Sequence, residues 1–350
     1  MESDIRVLVW GLGAMGSGMA RMIQEKDGVQ LVGAVDINPA KVGRDAGEVV
    51  GLHESVGVTV ACDGREALAQ CCPDLVVIAT RSFVREVMDE ILLAVEYGAN
   101  VISIAEEMAD PWAQHPKMAD AIDKSARERG VTVLGTGINP GFVLDLLIVC
   151  LSGVCVDVES VVARRVNDLS PFGPTVMETQ GVGTTLEQFQ AGIESGSIVG
   201  HVGFPESISL IARALGLRLD RIEQTKEPII SNVARKTEHV TVEPGWVAGC
   251  RHIAVGYCND KEIIRFEHPQ QILPELEGVD TGDYITIEGT PRIDMAIKPE
   301  IPGGLGTTAL AVNMIPLVHA ATAGLRTMVD FPVPRALRKE SDGVARAQDV

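Results

Sequence analysis

The sequence predicts an α/β protein in which an N-terminal Rossmann domain, with a doubly wound parallel sheet, precedes a second α+β domain with a mixed sheet. Three observations lead to this fold class. Short β-branched runs alternate with helix-length amphipathic segments in the first third of the chain, a glycine-rich turn follows the first run, and the alternation ends after Pro140. A chain of 350 residues also exceeds the length that one hydrophobic core usually supports.

The parallel sheet is predicted from five apolar runs, at residues 6–10, 31–35, 75–79, 100–104 and 131–134. Such runs are typical of strands buried on both faces, because helices cover both sides of a doubly wound sheet. Between the first two runs, residues 15–26 carry apolar side chains at helical spacing, and Gly28 follows to end that helix.

The pattern changes after Pro140. A helix is predicted over residues 142–151, strands are predicted at 157–165, 240–242, 253–257, 263–267 and 284–288, and a helical return is predicted over 305–323. We therefore expect a Rossmann domain over residues 1–140, an α+β domain over 141–303, and a helical return with a C-terminal tail over 304–350.

The composition argues against several classes of partner. The formal net charge is -18, and a surface this negative repels nucleic-acid phosphates and anionic lipid headgroups. The longest apolar stretch, residues 142–156, is shorter than a membrane span, and the first residues lack the basic and apolar segments of a secretion signal. The seven cysteines and seven histidines show none of the spacings of a metal site. We expect a cytoplasmic protein that binds no nucleic acid, membrane or metal.

A dinucleotide site is predicted at the turn after the first run, which consists of Gly11, Leu12, Gly13, Ala14, Met15 and Gly16. Gly11 permits the tight turn, Gly13 lets the backbone approach a pyrophosphate, and Gly16 allows close helix packing. The N-terminus of the following helix attracts the phosphate charge. Asp36 lies twenty residues beyond Gly16, at the end of the second run, where a carboxylate suits the hydroxyls of an adenosine ribose.

The residues near Asp36 are compatible with either NAD or NADP. The Asp36 carboxylate would repel a ribose 2′-phosphate, whereas Lys41 and Arg44 could meet that phosphate or could simply form a solvated helix face. Further along, Ala79, Thr80 and Arg81 end a predicted strand. They are expected beside the nicotinamide, because ligands of such sheets bind beyond the carboxyl ends of strands.

Two adjacent carboxylates, Glu106 and Glu107, follow the run at 100–104. Neighbouring negative charges in a partly dry cleft raise the pKa of one carboxyl, which suits a general acid or base. The same pair would also suit the solvated start of a helix, because acidic side chains favour helix N-termini.

Substrate contacts are predicted in two further places. Residues 135–142 contain three glycines, a proline and Asn139, a composition that fits a ligand-binding loop, an interdomain hinge, or both. In the second domain, the guanidinium of Arg164 or Arg165 suits a substrate carboxylate, and nearby carboxylate and polar groups suit an ammonium. Those nearby candidates are Asn167, Asp168 and His201. A surface ion pair and a structural histidine are the alternatives.

Seven segments carry a resemblance to a known family: residues 10–20, 100–114, 130–145, 165–185, 200–212, 268–285 and 301–316. Over almost its whole length the chain resembles the 2,4-diaminopentanoate dehydrogenases of the native amine dehydrogenase family, whose fold is related to that of dihydrodipicolinate reductase. The resemblance implies NAD(P)-linked oxidative deamination of the C4 amine of 2,4-diaminopentanoate to 2-amino-4-oxopentanoate and ammonia, a step of ornithine degradation. It also implies a homodimer, a cofactor domain at 1–140, and a substrate-binding and dimerisation domain at 141–303.

The resemblance also implies roles for individual residues. The family's catalytic glutamate falls within the acidic pair, where we prefer Glu107. The substrate pocket is expected to include the segments that contain Asn139, Arg165, Asn167 and His201. In the segment 301–316, we expect Thr307 at the substrate and Asn313 at the cofactor.

Two other functions are kept as alternatives. An enzyme like dihydrodipicolinate reductase would reduce a cyclic imine, but it would need a basic catalytic cluster of two histidines and a lysine, which we do not find in the sequence. A regulatory protein that only senses NAD(P) would use the same fold. The acidic pair at the end of a buried strand favours an enzyme instead.

Overall fold

The computed structural model describes residues 4–338, which form two compact units. The chain up to Gly141 and the chain from Gly303 onward form the first unit, and Phe142–Pro302 forms the second. These limits lie one residue from the predicted boundaries at 140 and 303. The segment from Gly303, which we expected as a separate helical return and tail, belongs to the first unit, and the predicted tail beyond residue 338 lies outside the described residues.

The first unit is built on seven strands. They are β1 (Ile5–Trp10), β2 (Val29–Val35), β3 (Val60–Ala61), β4 (Leu75–Ile78), β5 (Asn100–Ser103), β6 (Thr132–Gly135) and β15 (Gly324–Arg326). All neighbouring pairs are parallel, in the order β15-β6-β5-β4-β1-β2-β3. Apart from the added β15, this is the strand order of a dinucleotide-binding Rossmann sheet. The predicted fold class is confirmed.

Helices surround this sheet. They are α1 (Ala14–Gln24), α2 (Ala46–Val50), α3 (Gly64–Cys71), α4 (Val84–Glu96), α5 (Pro116–Arg129), α10 (Gly303–Asn313) and α11 (Ile315–His319), with 3₁₀ turns at Glu106–Ala109, Pro111–Ala113 and Met328–Asp330. The core joins the sheet to the apolar faces of α4 and α5, through side chains such as Ile78, Ile91 and Ile122. Burial of these side chains, at about 25 cal/mol per Å² of apolar area, is the main stabilising contribution.

Helix α10 packs against α1, the helix that follows the glycine-rich turn. A Cβ at Gly304 would lie 2.9 Å from Met15 Cε, and a Cβ at Gly18 would lie 3.0 Å from Thr308 Oγ1. The small residues therefore permit a close approach of the two helices. At its C-terminal end, the Asn313 amide oxygen accepts the Leu337 N–H at 2.9 Å, so the structure uses this predicted cofactor residue to hold the C-terminal segment.

The second unit contains a mixed sheet. Its strands are β7 (Asp157–Asp168), β8 (Arg221–Ile230), β11 (Val247–Cys258), β12 (Lys261–Gln271), β13 (Gly282–Thr290) and β14 (Ile293–Ile297), in the order β14-β13-β7-β12-β11-β8. Among these strands of the described chain, β7 and β12 pair in parallel and the other neighbours are antiparallel. A separate pair joins β9 (Arg235–Lys236) to β10 (Thr241–Val242), and the helices are α6 (Leu146–Ser152), α7 (Pro174–Thr179), α8 (Leu186–Ser195) and α9 (Phe204–Ala214), with a 3₁₀ turn at Pro274–Glu277.

Some elements differ from the prediction for local reasons. The helix predicted over 142–151 starts only at Leu146, because the Asp145 carboxylate accepts the Leu146 N–H and begins the helix there. Strand β8 was not predicted, since its charged sequence lacks an apolar alternation and it lies at the sheet edge. Within residues 4–338, no helix combines the length and apolarity needed to cross a membrane.

Candidate active site

The turn after β1 has the geometry of a dinucleotide-binding turn. Gly11 has a φ of +94°, and a Cβ there would lie 2.7 Å from the carbonyl oxygen of Ala79. A Cβ at Gly16 would lie 1.7 Å from the carbonyl oxygen of Gly11, so glycine is required for α1 to start against the turn. A Cβ at Gly13 would meet nothing within 4 Å, which leaves the approach open. The first turn of α1 carries no acidic side chain, so its N–H groups and dipole suit a pyrophosphate.

Asp36 lies just beyond β2, beside this turn. Its carboxylate accepts the N–H of Leu12 at 3.0 Å and that of Asn38 at 2.8 Å, and its Oδ2 lies 2.9 Å from Lys41 Nζ. Burial alone would raise the pKa of Asp36, but the Lys41 ammonium and the two N–H groups outweigh burial and lower the pKa. Asp36 is therefore an anion held at the rim of the turn, as recognition of a ribose hydroxyl requires.

The two predicted cations near Asp36 have different positions. Lys41 Nζ donates to the Leu12 carbonyl oxygen at 2.8 Å as well as to Asp36, so Lys41 belongs to the turn. Arg44 is exposed and donates to Glu48 at 2.6 Å, one helical turn along. Arg44 thus fits the solvated-face alternative, and Lys41 is the cation that would lie nearest a ribose 2′-phosphate.

The strand end at 79–82 supports the turn and the next helix. The Ala79 backbone is the surface against which Gly11 packs. Thr80 Oγ1 donates to Glu90 of α4 at 2.6 Å, and burial raises the pKa of Glu90. Arg81 is exposed. Of the three predicted residues, Ala79 and Thr80 have clear internal contacts in this unit.

The two adjacent glutamates after β5 occupy different environments. Glu107 is only 7% exposed, and its carboxylate accepts the N–H of Val84 at 2.8 Å and lies 3.1 Å from His115 Nε2. The Glu107 N–H donates to the Ser82 carbonyl oxygen at 3.2 Å. Since Val84 begins α4, the Glu107 carboxylate ties the 3₁₀ turn to the positive end of that helix.

Glu106 is partly exposed, and its pKa is raised. Burial raises its pKa and the Glu107 charge adds to the rise, while its own backbone and a hydrogen bond with the Ser82 side chain oppose it. A carboxyl with a raised pKa suits proton transfer closer to neutral pH. Our preference for Glu107 stays a prediction, and the raised pKa and partial exposure of Glu106 support this neighbour as the alternative proton-transfer residue.

The glycine-rich loop after β6 lies beside these glutamates. A Cβ at Gly135 would lie 2.0 Å from the carbonyl oxygen of Met108, so this glycine lets β6 approach the 3₁₀ turn. Both amide atoms of Asn139 are enclosed, yet they have no hydrogen-bond partner among residues 4–338. A buried amide without partners is rare and indicates a group that a ligand completes. Thr307 Oγ1 accepts the Ile138 N–H at 3.1 Å, so Thr307 fixes the backbone of this loop.

In the second unit, Arg165 forms a buried ion pair. Arg165 and Asp283 are paired across β7 and β13, with Nη1 and Oδ1 2.5 Å apart, and Nη2 donates to the Ile301 carbonyl oxygen at 2.5 Å. Burial raises the pKa of Asp283, and the Arg165 charge opposes that rise. The guanidinium that we expected to hold a substrate carboxylate is thus engaged by internal partners.

Two other predicted residues lie away from this ion pair. Arg164 is exposed and, by the alternation of side chains along β7, projects from the opposite face of the sheet. The Asp168 carboxylate accepts the N–H of Ser170 at 2.8 Å and that of Leu273 at 3.1 Å, which fixes the chain where β7 ends. Both have positions that favour structural or surface roles.

Three histidines of the second unit cluster around Phe204. His252 and His268 are paired across β11 and β12, and the His201 ring lies 4.8 Å from the His268 ring and 4.6 Å from that of Phe204. The His201 N–H donates to His252 Nδ1 at 3.0 Å, and His268 Nε2 lies 2.8 Å from Asn167 Oδ1. Burial lowers the pKa of His201 to about 3, that of His252 to about 4, and that of His268 well below its usual value. All three are therefore neutral near pH 7.

The sequence pointed to His201 and Asn167 but missed His252, His268 and the positioning partner His115. His252 and His268 lie at buried positions of β11 and β12, where a single histidine is easily taken for a satisfied core residue. Their pairing across β11 and β12 would have identified them as a cluster, but the register of two strands cannot be read from the sequence alone. In the described part of the chain, no group of three His, Cys, Asp or Glu side chains is arranged to hold a metal ion.

The Rossmann strand order, the glycine turn and the Asp36 carboxylate beside it define the first unit as the cofactor domain of a nicotinamide-dependent oxidoreductase. Comparison with known proteins identifies the particular family. Residues 142–347 match the family described as 2,4-diaminopentanoate dehydrogenase C-terminal domain, and residues 5–103 match dihydrodipicolinate reductase, N-terminus.

Individual relatives agree with these matches. The chain is 47% identical to a 2,4-diaminopentanoate dehydrogenase of Acetoanaerobium sticklandii, over 95% of each chain. It is 29% identical to an amine dehydrogenase of Streptomyces virginiae, over 96% of this chain and 100% of that one. A solved amine dehydrogenase structure from Mycobacterium smegmatis has a TM-score of 0.84 and 30% identity, covering 95% of this chain and 98% of that one.

The chain belongs to the 2,4-diaminopentanoate dehydrogenase family. It is an NAD(P)-dependent enzyme of the amine dehydrogenase class, which confirms the predicted family, enzyme class and type of cofactor. The alternative of a protein that only senses NAD(P) is wrong. The dihydrodipicolinate reductase family match covers the Rossmann domain alone, and therefore concerns the shared cofactor fold.

Proposed function

We propose that the protein oxidatively deaminates the C4 amine of 2,4-diaminopentanoate with NAD⁺ or NADP⁺, giving 2-amino-4-oxopentanoate and ammonia, and that it also catalyses the reverse reductive amination. The observation that carries the proposal is the 47% identity to a 2,4-diaminopentanoate dehydrogenase over 95% of both chains, which spans both units. The first unit supports it with a cofactor turn and a proton-transfer carboxyl.

The residues of the first unit fit a nicotinamide dinucleotide. The first turn of α1 would hold the pyrophosphate, the carboxylate of Asp36 would bind the adenosine ribose, and the enclosed amide of Asn139 would contact the bound ligands. When bound, the oxidised dinucleotide accepts the hydride from the C4 carbon of the substrate. The chain's own residues then supply binding, orientation and proton transfer.

Glu106 carries the proton in this mechanism. The C4 ammonium first loses a proton to the Glu106 carboxylate, and loss of hydride from the neutral amine leaves an iminium carbon. Glu106 releases its first proton to solvent, and its carboxylate then accepts a proton from the water that adds to that carbon. Glu106 passes this proton to the nitrogen, the C4–N bond breaks to release ammonia, and the hydroxyl proton returns to Glu106 as the ketone forms. Glu107, held by Val84 and His115, keeps the 3₁₀ turn and thus Glu106 in position.

The test is a substrate panel with both cofactors. Reduction of NAD⁺ and NADP⁺ is measured with 2,4-diaminopentanoate, ornithine, lysine and simple amines, and the products are identified by mass spectrometry. We expect the highest kcat/KM with 2,4-diaminopentanoate, and release of 2-amino-4-oxopentanoate and ammonia in equal amounts. Turnover of another amine with none of 2,4-diaminopentanoate would reject the substrate assignment while leaving the enzyme class intact.

The family resemblance also supports a place in ornithine degradation and a homodimeric assembly. Light scattering on the purified protein tests the assembly, for which we expect twice the chain mass of 37.3 kDa. The absence of nucleic-acid and membrane partners and the cytoplasmic location stay predictions.

A further inference from the structure

The loop after β6 carries an amide whose two polar atoms have no use within the protein. Oδ1 and Nδ2 of Asn139 are both enclosed, and neither makes a hydrogen bond within the part of the chain that the structure describes. An amide offers N–H donors and an acceptor, and such groups are costly to bury without partners. Asn139 as a whole is partly exposed, so the loop stays within reach of a ligand. The unused donor and acceptor therefore indicate a binding position.

The loop that carries Asn139 is held in place at the edge of the parallel sheet. The Thr136 N–H donates to the Ser103 carbonyl oxygen at 2.9 Å, at the end of β5. A Cβ at Gly141 would lie 2.3 Å from the Gly137 carbonyl oxygen, so the loop closes tightly on itself around Asn139. The amide is thus presented from a fixed backbone, close to the end of the strand that precedes the acidic pair.

The position of Asn139 in the sheet determines which part of the dinucleotide it meets. The strand order includes β6-β5-β4-β1-β2, with the glycine turn after β1 and Asp36 after β2. The adenosine half therefore belongs to the side of β1 and β2, and the nicotinamide half crosses to the side of β4, β5 and β6, where Asn139 lies. A phosphate only accepts hydrogen bonds and an ammonium only donates them, whereas the nicotinamide carboxamide does both through one planar group.

We propose that Asn139 pairs with the carboxamide of the nicotinamide ring, with Nδ2–H donating to its carbonyl oxygen and Oδ1 accepting from its amino group. Two parallel hydrogen bonds hold the plane of the carboxamide, and with it the rotation of the ring that accepts the hydride. The inference deepens the proposed function, and it rests on the nicotinamide cofactor of that function and not on the diamine. It moves Asn139 from the substrate, where the family resemblance placed it, to the cofactor.

The test compares three ligands that differ at the nicotinamide end. NAD⁺ has the carboxamide, 3-acetylpyridine adenine dinucleotide has a methyl group in place of the amide nitrogen, and ADP-ribose lacks the ring. Asn139→Leu removes donor and acceptor at similar size, whereas Asn139→Asp keeps an acceptor but no donor. Binding of each ligand to the wild type and both variants is measured by calorimetry without amine substrate, and melting of the ligand-free proteins is recorded alongside.

We expect Asn139→Leu to weaken NAD⁺ binding by about 10- to 100-fold, as for loss of buried hydrogen bonds, and to leave ADP-ribose binding unchanged. The wild type and Asn139→Asp should bind NAD⁺ more tightly than the acetylpyridine analogue, because only NAD⁺ offers a donor to Oδ1, and Asn139→Leu should lose this preference. Ligand-free Asn139→Leu should melt no lower than the wild type, since it loses no internal hydrogen bond.

Two results would overturn the proposal. Equal weakening of NAD⁺ and ADP-ribose binding would show that Asn139 is only structural. Unchanged NAD⁺ affinity in both variants, together with a raised KM for the amine, would assign Asn139 to the substrate instead.

A second measurement does not depend on the folding of a variant. In the wild-type enzyme labelled with ¹⁵N-asparagine, the Nδ2 resonance of Asn139 should shift on addition of NAD⁺ and stay in place on addition of ADP-ribose. A resonance that moves equally with both ligands, or with neither, rejects the site. The two levels of inference fail separately, because no binding measurement uses the amine. Selective NAD⁺ effects without turnover of 2,4-diaminopentanoate reject the proposed substrate alone, whereas turnover without these effects rejects the role of Asn139.

Discussion

The carboxylate of Glu107 accepts the backbone N–H of Val84 at 2.8 Å, at the first residue of α4. This contact, with His115 Nε2 3.1 Å from the same carboxylate, ties the 3₁₀ turn after β5 to the start of α4. Its neighbour Glu106 has a pKa that burial raises and a side chain that is partly exposed. Two chemically identical side chains, adjacent in sequence, are therefore suited to different tasks.

The first prediction separates these tasks. Glu106→Gln keeps size and hydrogen bonding but cannot accept a proton, so kcat with 2,4-diaminopentanoate should fall by about 10²- to 10⁴-fold, the usual contribution of general acid/base catalysis. Glu107→Gln should lower the melting temperature, since an amide replaces the carboxylate that contacts the Val84 N–H and His115, and should reduce kcat less. Steady-state rates and calorimetric melting of both variants check this. A larger loss of kcat in Glu107→Gln than in Glu106→Gln would assign the proton transfer to Glu107.

The second prediction concerns pH. Oxidation needs Glu106 as a carboxylate, and burial raises its pKa above the ordinary value of 4.5, so kcat should fall on the acid side at a higher pH than an unperturbed glutamate would give. Reductive amination needs the protonated form, so its rate should fall as the pH rises through the same pKa. Rate profiles in both directions measure this pKa. A profile that Glu106→Gln leaves unaltered would assign the titration to another group.

The raised pKa of Glu106 also has a consequence for stability. A carboxyl whose pKa is higher in the folded than in the unfolded state stabilises the fold below the unfolded-state pKa, and this contribution is lost as the pH rises through the folded-state value. At pH 8 the charged Glu106 therefore disfavours the folded state. Glu106→Gln should therefore melt no lower than the wild type at that pH. A loss of activity in this variant would then not be due to unfolding.

How much the sequence could predict depended on the range of the contacts involved. The glycine turn and Asp36 were found because their spacing is local and their roles follow from backbone geometry. The acidic pair was also located, since it directly follows a buried strand. The choice between its two members could not be made locally, because it depends on Val84 and His115, which reach Glu107 from α4 and from the start of α5.

The second unit shows the same limit more strongly. Arg165 meets Asp283, a residue 118 positions later, only because β7 and β13 pair in one particular register. A register is set by the whole sheet, so a sequence pattern that suggests a substrate-binding arginine cannot distinguish it from half of an ion pair. Strand β15 was missed for a similar reason. Its three residues are too few to show an alternation of apolar and polar side chains, and they form a strand because they pair with β6.

The third prediction concerns cofactor choice. Asp36→Ala should weaken NAD⁺ binding by about 1 to 3 kcal/mol, as for loss of a hydrogen bond to a charged group, and should affect NADP⁺ less. The reason is that Lys41, now bound to Asp36 at 2.9 Å, would be released to meet a 2′-phosphate. Lys41→Ala in the same background tests that reason, because it should remove any gain for NADP⁺. Equal NAD⁺ affinity with and without Asp36, by calorimetry, would show that this carboxylate does not bind the ribose.

The last prediction concerns Arg165, a residue that is 3% exposed and whose guanidinium is paired with Asp283. Arg165→Met leaves the Asp283 carboxylate buried without its cation, so the variant should lose about 3–5 kcal/mol of unfolding free energy, the usual result of removing one partner of a buried ion pair. Replacing both residues, as Arg165→Met with Asp283→Leu, should lose less, because no uncompensated charge remains. Denaturant unfolding of the two variants and the wild type provides the comparison, and Arg165→Lys tests the role in substrate binding that the sequence suggested. The contrary result would be an unchanged unfolding free energy for Arg165→Met, together with a KM that rises only for substrates that have a carboxylate. It would show that the arginine binds substrate and that its pairing with Asp283 is secondary.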